Sequence, residues 1–187
     1  MSNLSFFDCN CMIGPRRDRP AGTLWRLEDF LSDFEHCDIM GAVVYHAVAK
    51  EYSADYGNRR LMREIGDNPQ LSPQWVLVPY PTGEMPPAPE VVDEMLSLGV
   101  RSARMFPGQD RCPPDEYIVG GMLSELERHR IPLFLDTDTY SDSVYGGTAE
   151  VTYDEVIEIC RNHPRLPVVL CGAIYADWWD IERACRQ

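Results

Sequence analysis

Short apolar runs alternate with amphipathic stretches along the whole chain. The apolar runs that read as strands are Ser5–Cys11, Gly41–His46, Gln74–Pro79, Val100–Phe106, Pro132–Thr137 and Pro167–Cys171. Most are continuous rather than alternating, as in Ala42-Val43-Val44-Tyr45 and Pro167-Val168-Val169-Leu170. Continuous runs suit a parallel sheet covered on both faces. Between them the period changes to that of a helix. Leu27, Phe30, Leu31 and Phe34 fall at i, i+3, i+4 and i+7, as do Val91, Met95 and Leu98, and Ile118, Met122, Leu123 and Leu126. The pattern predicts helices near Leu27–His36, Tyr56–Ile65, Glu90–Leu98, Asp115–Arg130 and Tyr153–Asn162, with a last one from Trp178 to the end.

Strand starts recur roughly every 30 residues, the length of a βα unit. The prediction is an α/β chain of about six such units in one domain over residues 1–187, a TIM-barrel-like (β/α) fold that stops short. A closed barrel uses eight units and about 250 residues. Ala184-Cys185-Arg186-Gln187 carries no helix stop signal, so the chain reads as incomplete at its C-terminus. The alternative is an open, doubly wound six-stranded sheet, in which case the chain is complete. The Pro-rich stretch Pro79–Pro87 is expected to be a loop after the third strand, on the face where such folds keep their sites.

Composition narrows the function classes. The formal net charge is −13, which argues against nonspecific binding to nucleic acid or anionic membrane. Lys50 is the only lysine, so a Schiff-base mechanism would rest on that residue. There is no signal-peptide pattern and no apolar run near the ~20 residues that span a bilayer. Seven scattered cysteines in such a chain read as reduced thiols, and the expected location is cytoplasmic.

The order of several short segments carries a resemblance. They are Asp8-Cys9-Asn10-Cys11-Met12-Ile13-Gly14, Gly41 to His46, Gly99 to Pro107, Leu123-Ser124-Glu125-Leu126 leading to Ile131–Asp136, and His163 to Leu170. Together they resemble the amidohydrolase-related (type 2) superfamily of metal-dependent hydrolases and nonoxidative decarboxylases. The resemblance implies a TIM barrel and a divalent metal such as zinc. It also implies histidines where this chain has Asn10, Met12, Asp136 and Cys171, so the family's metal ligands transfer to no position here. Met thioether and Asn amide do not replace imidazole on a hard ion.

Other polar residues fall at predicted strand ends. Alternation places Asp8, Asn10 and Met12 on one strand face and Cys9 and Cys11 on the other. Cys9-x-Cys11 reads as small buried side chains, or as half of a soft-metal site. Asp136 and Asp138 share a face and can act as acid and base or hold a hard cation; the plain alternative is a loop cap. His46 ends the second strand and is a candidate base, or a satisfied structural histidine. Arg104 can clamp a substrate carboxylate, or pair with Asp8 or Asp136. Tyr52, Tyr56, Arg59 and Arg60 can wall a pocket or pack on the surface. Trp178-Trp179 reads as core or interface, and His36, His129 and His163 are given no chemistry.

Two functions remain open. One is a hydrolase or nonoxidative decarboxylase of a small polar or carboxylate-bearing compound, with Asp136 and His46 catalytic and Arg104, Asn10, Asp138 and Tyr52 binding substrate. The other is a noncatalytic, metal-free relative that binds a ligand or partner. In either case six units leave open sheet edges, from which a homo-oligomer, or a companion fragment that supplies the rest, is expected.

Overall fold

The computed structural model describes residues 4–17, 22, 25–79, 85–137, 140–142, 147–149, 151–173 and 178–186. The chain divides into two compact units. The first comprises residues 1–76 and 99–101, the second 77–98 and 102–187.

The first unit contains β1 (Phe6–Ile13), α1 (Leu27–His36), β2 (Ile39–His46), α2 (Ala47–Glu51), α3 (Ala54–Ile65) and β3 (Leu71–Val76). The strands run parallel in the order β1-β2-β3. Each lies beside its predecessor. The helix α1 covers the expected Leu27–His36 span, with Phe34 buried. The strand β3 starts three residues before the expected Gln74, with Pro73 inside it opposite Val44. A proline in a paired strand is unusual, which hid that boundary. The strand ends at Val76 because buried Asn58 of α3 takes both its backbone groups. The Asn58 amide donates to the Val76 carbonyl at 2.8 Å and accepts from its N–H at 2.9 Å.

The second unit contains α4 (Ala88–Ser97), β4 (Ser102–Met105), α5 (Pro107–Asp110), α6 (Glu116–His129), β5 (Leu133–Asp136), β6 (Tyr140–Asp142), β7 (Gly147–Ala149), α7 (Tyr153–Asn162), β8 (Val168–Cys171) and α8 (Trp178–Cys185). The strands β4, β5 and β8 are parallel in that order, and β6 and β7 form an antiparallel hairpin absent from the prediction. The helix α7 starts with a capping box, in which Thr152 and Glu155 satisfy each other's backbone N–H groups.

The six parallel strands, each followed by helix, make the fold class TIM-barrel-like with six βα units. Buried Val44, Leu61, Trp75 and Ile65 belong to the core of the first unit; Leu123, Leu126, Leu133 and Leu135 belong to that of the second. Among the described residues no helix is long and apolar enough to cross a membrane.

Candidate functional site

In the first unit the chemistry gathers around His46, the last residue of β2. Its backbone stays extended, and its Nδ1 accepts the Val48 N–H at 3.0 Å, capping α2. An accepting Nδ1 carries no proton, so the neutral ring holds its proton on Nε2. That nitrogen lies 3.3 Å from Glu64 Oε2 of α3, off the hydrogen-bond direction. Arg60, one turn earlier, holds the other Glu64 oxygen at 2.6 Å. Burial pushes His46 below the ordinary imidazole range; the Glu64 carboxylate opposes that shift and the Arg60 charge adds to it. Gly14, at φ +92, lies against the ring: a Cβ there would stand 2.5 Å from Nε2 and 3.0 Å from Nδ1.

Glu64 also lines a cleft of about 340 Å³ with Trp25, Arg26, Leu27 and Glu28. The Gly14 N–H donates to the Trp25 carbonyl at 2.9 Å, and the Arg26 guanidinium lies 5.4 Å from the Trp25 ring centroid. The cleft thus presents an aromatic face, two carboxylates and a guanidinium, with a buried imidazole behind one carboxylate.

In the second unit the strand register puts Arg104 opposite Phe134 and Asp136 opposite Cys171. Alternation then sets Arg104, Phe134, Asp136 and Cys171 on one sheet face. Arg104 and Asp136 are both buried, and Nη2 meets Oδ2 at 2.8 Å. The Arg104 guanidinium also lies 4.9 Å from the Phe106 ring centroid. Past Asp136, Thr137 donates its N–H and its hydroxyl to the Cys171 carbonyl at 2.8 and 2.9 Å, pinning the two strand ends together.

Of the two partners expected for Arg104, the structure shows Asp136. Other expectations need correction. Asp8 lies opposite Ala42 and Cys11 opposite Val44, so three steps along β1 match two along β2. This bulge breaks the alternation that set Asp8, Asn10 and Met12 on one face. Asn10 is exposed, and its N–H donates to the Asp8 carboxylate at 2.8 Å. His46 caps α2 and lies 3.3 Å from Glu64 of α3. Tyr52 follows α2 as its C-cap and is 84% exposed. Arg59 pairs with Asp55 on the surface. Cys11 is buried, with its thiol pushed up to about 12 by burial and by the nearby Asp8, while Cys9 is exposed, which removes the paired soft-metal reading. Asp138 lies outside the described residues. Glu64 was missed from the sequence; its only signal was the i, i+4 spacing to Arg60.

The donor set does not fit the divalent metal that the resemblance implies. Asp136, the carboxylate at the end of β5, is engaged by a buried guanidinium. Among the described residues no three His, Cys, Asp or Glu side chains converge to hold an ion.

No family model and no curated protein matches the sequence. Solved structures do. A TIM-barrel protein of Bordetella bronchiseptica aligns with a TM-score of 0.61 at 18% identity, over 86% of this chain and 56% of its own. The 5-carboxyvanillate decarboxylase of Sphingomonas paucimobilis aligns at 0.64 and 12%, over 89% of this chain and 67% of its own. An amidohydrolase of Mycobacterium avium subsp. paratuberculosis aligns at 0.57 and 17%, over 84% of this chain and 51% of its own. The chain therefore spans about half to two thirds of the structures it matches. Likeness at this level establishes the fold, that of the TIM barrels.

Proposed function

We propose that the chain binds a small carboxylate-bearing compound and hydrolyses or decarboxylates it, with Arg104 and Asp136 as the working pair. The observation that carries this reading is the buried Arg104–Asp136 ion pair beside the strand ends. An ion pair in the interior adds little stability over apolar packing, and strand C-terminal ends are where barrels place their chemistry. The planar Arg104 fork suits a carboxylate, and Asp136, oriented by that fork, suits proton transfer. Two structural neighbours are named for such compounds: one decarboxylates 5-carboxyvanillate, and one is a probable 2-pyrone-4,6-dicarboxylic acid hydrolase. His46 enters as a proton-holding group behind Glu64 at the cleft of the first unit.

The test is calorimetric titration with a panel of aromatic and aliphatic di- and tricarboxylates, 5-carboxyvanillate included, followed by chromatographic assay of each compound that binds. Turnover that Asp136→Asn leaves unchanged would overturn the assignment. The second reading, binding without turnover, is favoured by the lack of converging metal ligands among the described residues. It expects compounds that bind through Arg104 and are recovered intact.

A further inference from the structure

The Arg104–Asp136 centre also contains a nucleophile. Cys171, buried at the end of β8, is the register partner of Asp136 on β5. Partners in register leave the sheet on the same face, and neighbouring strands stand about 4.8 Å apart. The thiol therefore starts from the backbone beside the carboxylate that Arg104 Nη2 meets at 2.8 Å. The backbone fixes this placement. The N–H and the hydroxyl of Thr137, the residue after Asp136, both donate to the Cys171 carbonyl. Gly172 follows at φ +84, a conformation that strains an L-residue, and the strand ends at the cysteine.

A thiol, a carboxylate and a guanidinium on one sheet face are the parts of acyl transfer through a cysteine. The carboxylate takes the thiol proton during the attack. The guanidinium supplies positive charge where the attack develops negative charge.

We propose that Cys171 is the nucleophile of this centre, and that the compound it cleaves is a carboxylate-bearing ester, opened through a thioester on Cys171. The inference rests on the carboxylate-binding reading of the same centre. It selects hydrolysis from the two reactions, because loss of carbon dioxide needs no acyl acceptor. Cys171 Sγ bonds to the ester carbonyl carbon as its proton passes to Asp136. The bond from that carbon to the alcohol oxygen breaks, and the leaving oxygen takes the proton. Water then attacks the thioester while Asp136 accepts a proton from it. The C–S bond breaks, and the sulfur recovers that proton. The sum is ester and water to acid and alcohol.

The experiment uses the full chain and mono-4-nitrophenyl terephthalate, a rigid ester whose own carboxylate cannot reach its carbonyl carbon. Nitrophenolate release should begin with a burst. Acid quenching within the burst, proteolysis and mass spectrometry should place a 4-carboxybenzoyl group on the Cys171 peptide. Cys171→Ser should lose burst and adduct, yet bind terephthalate in calorimetry as the wild type does, with unchanged circular dichroism. The adduct map of the wild type decides the matter even if that variant misfolds. An adduct confined to exposed Cys9, Cys37 or Cys185, no adduct on any peptide, or release that persists in Cys171→Ser overturns the inference. If terephthalate binding is then still lost in Arg104→Met, the carboxylate-binding reading survives without the thioester. If binding is indifferent to Arg104→Met, that reading falls too.

Discussion

Gly14→Ala isolates the packing that holds His46. Two costs are expected. At φ +92 an L-residue is strained, at about 1–2 kcal/mol. The new methyl would also stand 2.5 Å from His46 Nε2, well inside the ~3.5 Å at which heavy atoms pack without repulsion. The ring is fully buried and tied to the Val48 N–H at 3.0 Å, so it cannot retreat without losing the α2 cap. Overpacking of this kind costs about 1–3 kcal/mol. The combined loss, about 2–5 kcal/mol, should appear as a lower urea midpoint with unchanged slope, followed by circular dichroism. The control is His46→Asn, which keeps an N-capping side chain but removes most of the ring. In that background Gly14→Ala should cost only the backbone part, about 1–2 kcal/mol. A loss under about 0.5 kcal/mol in the native background, or equal losses in both, would refute the picture of Gly14 as the floor under the imidazole.

The same contacts yield further expectations. Because burial lowers the affinity of folded His46 for a proton, its contribution to stability is complete above pH 6.5 and is lost as pH falls through the lower folded value; the difference between wild-type and His46→Asn unfolding free energies should shrink over that interval, and a flat difference would contradict it. Asp136→Ala should cost about 3–5 kcal/mol in chemical denaturation, because it breaks a buried ion pair, whereas Arg104→Met/Asp136→Leu should be neutral or more stable; equal damage from both would show that the pair is worth more than apolar packing. Asn58→Ala leaves the Val76 N–H and C=O without partners inside the unit and should cost about 2–4 kcal/mol, read from the thermal midpoint. Iodoacetamide at pH 8 should label exposed Cys9, Cys37 and Cys185 first in the native chain. It should spare Cys11, with its thiol pushed up to about 12, and Cys112, pushed up to about 11. Early labelling of Cys112 in mass spectra would contradict its burial.

Much of the fold was legible because it follows from local periodicity. The apolar stripes of α1 and α7 reproduce their spans, since a helix that buries one face must repeat its apolar residues at 3.6. Elements of three to five residues are too short to show a period. The helix α2 exists because His46 caps it, and α5 begins with Pro107 at its first position and ends at Arg111 in the left-handed region. The candidate site was legible only in part. Arg104 and Asp136 fall on neighbouring strands, two residues apart in register and on one face, so sequence position alone made them possible partners. Glu64 meets His46 only because α3 packs across β2, and no local pattern reports that. Asn10 was misplaced because one extra residue in β1 undoes the alternation from which its direction was read.

The pairing of Arg104 with Asp136 also bears on what this barrel can do. A carboxylate oxygen in the interior can neutralise a divalent ion or a guanidinium, but placing both cations against it brings like charges together in a medium that screens them weakly. Arg104 is buried with its ring neighbour Phe106 and cannot lose its charge. Asp136 is thereby oriented by a side chain of the chain itself. The planar donors of Arg104 suit a carboxylate by shape as well as by sign. The proposed function accordingly rests on proton transfer at Asp136 and on the fork of Arg104.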